Sequence, residues 1–209
     1  MIKLTTKPAS DPLFGKSKWW GQPDMPEDMQ YPELMVDDDG IVYDDPLTFI
    51  SQIRCEDIAP YDKEGILPRE GMLYFFASLD YFLGASESLA YPGMGEWHPQ
   101  YFRVLYAPHC DNLHTHRILY DDGREVGLPA EAIDFSPCEQ DEDGTRLLGQ
   151  PYIDEVRENM PHTISLLQID EDDRWNLIFH DCGMVNFLIT KEDLQKQRFD
   201  KAKCYLYSF

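Results

Sequence analysis

The chain has 209 residues, 18 Lys plus Arg against 39 Asp plus Glu, and a formal charge of −21 at pH 7. A nucleic-acid binder needs a basic stripe against phosphates, and an anionic lipid surface repels so acidic a body, so the charge balance argues against both partners. The hydrophobic fraction of 43% and aromatic fraction of 13% are those of a folded protein, not of an acidic disordered segment. At this length one domain over 1–209 is expected. The segment MIKLTTKPAS at the start has no apolar run of the signal-peptide kind, and no stretch reaches the roughly 20 apolar residues of a spanning helix, so the expected location is cytoplasmic. The five cysteines are odd in number and dispersed without a C-x-x-C pair, which supports neither a disulfide framework nor a zinc ribbon.

In chain order, runs rich in β-branched and aromatic residues predict strands over 47–53 (LTFISQI), 72–79 (MLYFFASL), 101–107 (YFRVLYA), 114–120, 163–169 (TISLLQI), 175–179, 184–190 (MVNFLIT) and 203–209. In several of them both alternating faces are apolar, which implies strands covered on both faces. Helices are few: a short one is predicted over 129–135, one or two turns over 152–159, and the clearest after Thr190, where Thr190 and Asp193 form an approximate capping box before KEDLQKQ. The class expected is α+β, β-rich with few short helices.

Charge is unevenly placed. Residues 1–18 carry a net +3 and 191–209 a net +2, leaving −26 on the body between them. The acids cluster at Asp37-Asp38-Asp39, Asp44-Asp45, Asp121-Asp122, Glu139 with Asp141-Glu142-Asp143, and Asp170-Glu171-Asp172-Asp173. Each cluster neighbours Gly, Pro or a predicted strand end, so all are expected on loop tips.

The sequence also repeats itself. Gly21-Gln22-Pro23 recurs as Gly149-Gln150-Pro151, Ile50-Ser51-Gln52-Ile53 as Leu167-Gln168-Ile169, and Gly71-Met72 with Phe75-Phe76 as Gly183-Met184 with Phe187-Leu188, in the same order. Two such copies, about 15–80 and 145–195 with an insertion 81–144 between them, predict two duplicated sheet modules in one globule and not a solenoid.

The segments Ser17-Lys18-Trp19-Trp20-Gly21-Gln22-Pro23, Gln52-Ile53 and Gly71-Met72-Leu73-Tyr74-Phe75-Phe76, with Gly149-Gln150-Pro151, Leu166-Leu167-Gln168-Ile169-Asp170 and Asp181-Cys182-Gly183-Met184 in the second half, resemble the YwqG-like family of bacterial proteins of unknown function. The match runs over roughly 15–200. It departs from the pattern at Trp19-Trp20, where the family more often has a glycine just before Gly21. The resemblance implies an α+β fold of duplicated modules and an association with toxin and immunity gene clusters, and it brings no catalytic residues.

Candidate chemistry is sparse. His109, Cys110, His114 and His116 form the densest set of potential ligands, and His114 and His116 would share one side of a strand, but the spacing matches no zinc pattern and no second cluster completes a coordination sphere. His180 and Cys182 offer a thiol with a nearby base, yet a thiolate needs a cationic surrounding that this anionic body lacks, so Cys182 is expected as a small buried residue before the Gly183 turn. Asp37–39 and Asp170–173 lack the calcium-loop pattern, and there is no phosphate loop, dinucleotide fingerprint, G-x-S-x-G or H-E-x-x-H. No catalytic residue, resident metal or cofactor is therefore assigned. The expected function is non-enzymatic: an immunity protein that covers the active site of a cognate toxin, with a metal-dependent hydrolase around His109–His116 or a housekeeping interaction module as alternatives. The partner expected is a basic protein, steered by the acidic clusters and held by aromatic anchors. The contact residues expected are Asp37, Asp38, Asp39, Asp44, Asp45, Glu139, Asp141, Glu142 and Asp143, with Tyr91 and Trp97 from the irregular segment 81–99.

Overall fold

The structure, a computed structural model, describes every residue except Ser86 and Asp121. The chain runs through β1 (Ile2–Pro8), β2 (Lys18–Trp19), β3 (Asp24–Pro26), β4 (Glu33–Asp38), β5 (Ile41–Pro46), β6 (Thr48–Arg54), α1 (Cys55–Ile58), β7 (Met72–Ala77), β8 (Gly95–Glu96), β9 (Phe102–Ala107) and β10 (Leu113–Thr115). It continues through β11 (Glu131–Pro137), β12 (Arg146–Leu147), α2 (Asp154–Asn159), β13 (Thr163–Asp170), β14 (Met184–Thr190), α3 (Lys191–Gln195) and β15 (Lys203–Tyr207). The class is α+β, dominated by strands. Among the described residues no helix is long and apolar enough to cross a membrane.

One eleven-stranded sheet carries the fold, in the order β8-β15-β14-β13-β12-β1-β11-β2-β6-β7-β9, with every pairing antiparallel. At its middle β1 and β11 pair from Ile2 opposite Pro137 to Pro8 opposite Glu131. The helix expected over 129–135 is therefore strand. Ile133 and Phe135 lean on the core while Asp134 and Ser136 face water, a period of two that the pairing with β1 rewards.

The two flanks of this central pair run in parallel. Lys18 and Trp19 oppose Gln52 and Ser51 on one side, and Arg146 and Leu147 oppose Gln168 and Leu167 on the other. Both long strands are irregular at matching places, between Phe49 and Ser51 and between Ser165 and Leu167. The two buried glutamines do the same work: Gln52 Oε1 accepts from Asp24 N at 2.7 Å and its Nε2 donates to Lys16 O at 2.8 Å, while Gln168 Oε1 accepts from Tyr152 N at 3.0 Å and its Nε2 donates to Gly144 O at 2.9 Å. Each thereby satisfies backbone groups of an incoming turn that would otherwise be stranded. The flanks are joined edge to edge in a continuous sheet instead of standing as two separate modules.

β7 explains why both alternating faces of a run can be apolar. Leu73 and Phe75 enter the main core, whereas Met72, Tyr74 and Phe76 enter a second core on the other face, roofed by the β4–β5 hairpin and the β3–β10 pair. On the other flank the roof is α2, which closes a small cluster of Val156, Met160, Leu188 and Tyr205. Trp20 has φ of 56°, the left-handed region where a glycine sits without strain, and Leu148 repeats it at 63° in the second flank. The strand expected over 175–179 is absent, because Asn176 at φ 52° ends a short turn over 173–175. The strand expected over 114–120 shrinks to β10. The α3 start is as expected, with Thr190 Oγ1 accepting from Asp193 N at 3.0 Å.

Candidate partner-binding surface

Residues 33–46 carry six acids and no Lys or Arg, and they fold as a hairpin of their own, β4–β5. Its turn is Asp39-Gly40, with φ of 49° and 89°, the type I′ geometry that matches strand twist and that an Asp-Gly pair readily takes. Asp37 Oδ1 accepts from Gly40 N at 2.7 Å and fixes the tip. Leu34 and Val36 face the second core; the opposite face presents Glu33, Met35, Asp37, Val42 and Asp44 to water. Met35 and Ile41 are each 70% exposed, an unusual outlay of apolar surface beside so many carboxylates. The structure thus places Asp39 in the turn as expected, whereas Asp37 and Asp38 end β4 and Asp44 and Asp45 lie on β5, so these four are on strands and not in a loop. The Asp-Gly pair between alternating runs was the signal for this hairpin.

At the base of the hairpin is a cavity of about 590 Å³, lined on its polar side by Gln22, Tyr31, Asp45, Thr48 and Asp80 and on its apolar side by Leu119, Tyr120 and Leu128 among others. Burial first, then the Asp80 charge, push the Asp45 carboxyl above the usual carboxylate range, and the same two causes raise the Tyr31 phenol. Thr48 Oγ1 donates to Asp80 Oδ1 at 2.8 Å. Among the described residues neither Asp45 nor Asp80 is in an ion pair.

The second acidic group lies elsewhere. Glu139, Asp141, Glu142 and Asp143 form the exposed turn between β11 and β12, where Glu142 approaches Lys3 at 3.7 Å and the buried Arg146 donates to the Glu142 and Gln140 carbonyls. Asp121 lies outside the described residues, and Asp122 pairs with Arg124 at 2.7 Å.

The two expected aromatic anchors part company. Tyr91 is 37% exposed, stands against Tyr81 and makes a 3.0 Å hydrogen bond with His180 Nε2. Trp97 is only 2% exposed, stacks on Phe82 and donates to Gly93 O at 2.9 Å, so it is a core residue and not a contact anchor. An irregular segment in sequence is no guide to exposure when its large ring has a core to fill.

His114 and His116 do lie side by side, with ring centroids 6.4 Å apart, but His116 stacks on Tyr31 and Cys110 instead feels Arg54. Among the described residues no group of three or more His, Cys, Asp or Glu side chains gathers as a metal cluster. His180 and Cys182 sit in a bend, with φ of 70° and 53°, and not on a strand. Cys182 is exposed, contrary to the buried position expected, and the Asp181 charge beside it raises its thiol further.

No curated protein matches the chain. A family model described as a domain of unknown function, DUF1963, matches residues 17–141 and 122–207, together nearly the whole sheet and the hairpin it carries. With its glutamine-anchored turns and glycine-led strands inside those matches, the chain belongs to the DUF1963 family, consistent with its YwqG-like motifs.

Proposed function

We propose that this chain is a non-enzymatic binding protein of the cytoplasm whose partner is a basic protein, most concretely an immunity protein that covers the active site of a toxin encoded beside it. The observation that carries this is the β4–β5 hairpin: six acids without a base, around exposed Met35, Ile41, Val42 and Tyr43, set over one flank of the sheet. Carboxylates at such a tip speed the approach of a cationic cleft, and the apolar side chains among them supply the area that holds it. Toxin association enters through the resemblance of the motifs, as analogy. The hairpin also occupies the place that α2 takes on the other flank, so the acids sit on the part of the fold that differs between the two.

The test is to express the protein encoded by the adjacent gene, measure its toxicity, and ask whether this chain relieves it. Replacing Asp37, Asp38, Asp39 and Asp44 by Asn should slow association about tenfold or more at low salt. An association rate unchanged between low and high salt would end the steering idea, and a harmless neighbour that does not bind would end the immunity function.

We also infer that the two flanks descend from one duplicated unit. The matched registers, the paired strand irregularities and the two turn-anchoring glutamines support this.

A further inference from the structure

We propose that the cavity at the base of the β4–β5 hairpin receives one arginine side chain of the partner, with Asp45 and Asp80 taking the guanidinium and Tyr31, Leu119 and Tyr120 enclosing its stem. The inference rests on the partner-binding function proposed above and names the chemistry of its central contact. Asp45 comes from the end of β5 and Asp80 from the turn after β7, so folding, not sequence proximity, brings two carboxylates to one cavity. Thr48 holds Asp80 through Oδ1, and among the described residues no hydrogen bond engages Asp80 Oδ2 or the Asp45 carboxylate. The lining holds no Lys or Arg. Two partly buried carboxylates lining one cavity without a cation are costly to the fold, and a cation brought by a partner relieves that cost.

Arginine fits better than lysine. Its planar fork can donate to two carboxylates at once, it is more weakly hydrated than an ammonium, and it stacks on aromatic faces. Tyr31 supplies an aromatic ring to the cavity wall, held by a 2.7 Å hydrogen bond from its hydroxyl to Leu47 O and by the stacked His116 ring. Leu119 and Tyr120 are more than half exposed at the cavity mouth, where they would cover the aliphatic stem. A lone metal ion suits the cavity less, since its wall is largely apolar and supplies only two carboxylates.

The test needs no toxin. Backbone amide spectra of the ¹⁵N-labelled protein are titrated with N-acetyl-L-arginine amide, with the corresponding lysine and glycine amides in parallel. The expected result is saturable shifts confined to amides around the cavity, such as those of Thr48, Asp80 and Leu128. Binding should weaken at least tenfold in Asp45→Asn and in Asp80→Asn, and stay unchanged in Asp141→Asn on the remote turn. Two acid variants guard against one that fails to fold, which the spectra themselves reveal. Shifts that do not saturate, that spread over the whole acidic surface, or that are as large with the lysine amide overturn the inference. Because only the small probe is used, loss of the site and loss of the immunity function are separately visible: a probe that binds while the neighbouring gene product does not leaves the site standing.

Discussion

Asp24 offers the sharpest test of what holds the roof of the second core to the sheet. It is 1% exposed, and its carboxylate accepts from Lys18 Nζ at 2.8 Å, Gly15 N at 2.9 Å, Gln52 Nε2 at 3.0 Å and Thr115 Oγ1 at 2.8 Å. Its own carbonyl takes the Tyr74 hydroxyl at 2.7 Å. These bonds tie β3 and β10, the roof beside the hairpin, to β2, β6 and β7. Asp24→Ala strands a buried ammonium and three further donors, and breaking such a pair costs about 3–5 kcal/mol. For a chain of this size each kcal/mol lowers the melting temperature by about 2–4 °C, so the expected fall is about 6–20 °C. The Lys7–Asp134 pair is shorter, at 2.6 Å, but its Asp134 side chain is 60% exposed, so Asp134→Ala should cost no more than about 1 kcal/mol. Thermal unfolding followed by circular dichroism at pH 7 compares the two. Lys18→Met combined with Asp24→Leu should regain part of the loss, since neither charge is then left alone. A fall for Asp24→Ala no larger than that for Asp134→Ala would show that burial does not set the cost.

Other outcomes follow from the same contacts. Trp97→Ala should cost about 3–5 kcal/mol in urea unfolding as a vacated core site, whereas Tyr91→Ala should stay within about 1 kcal/mol; equal losses would contradict their different burial. At Gly71, φ is 93° and an added Cβ would collide with the Ala107 carbonyl, so Gly71→Ala should lose at least about 1–3 kcal/mol, checked by the same unfolding curve. Asp45 titrates above its unfolded value of about 3.9, so its contribution to stability is fully present below that pH and is lost as pH rises through the higher folded value. Asp45→Asn should therefore melt higher than the parent at pH 7 and lose that advantage near pH 3; an advantage that grew on acidification would reverse the assigned sign.

The β-rich α+β class and the recurring motifs were legible in the residues alone. Runs such as MLYFFA and MVNFLIT are apolar on both alternating faces because both faces of those strands are covered, and that pattern needs no partner to be read. The Thr190 cap was equally visible, since it acts within three residues of itself, and the Gln-Ile and Gly-Met motifs recur in the same order although the contacts the two glutamines make are distant. Tertiary structure decided what depends on distant partners. Residues 129–135 hold a proline and a glutamate that suit a helix start, but β1, more than a hundred residues earlier, supplies the ladder that makes them strand. Trp97 sits among glycines and prolines, and only the fold places Phe82 beneath its ring. The charge of −21 was plain from the first count, and it remained a sum over scattered clusters until the hairpin set six acids around exposed Met35 and Ile41. Asp45 and Asp80 are 35 positions apart in the chain and share a cavity only because the hairpin base and the end of β7 meet on one side of the sheet. Local side-chain chemistry writes itself into sequence, whereas the meeting of two carboxylates is a property of the packed sheet and of nothing shorter.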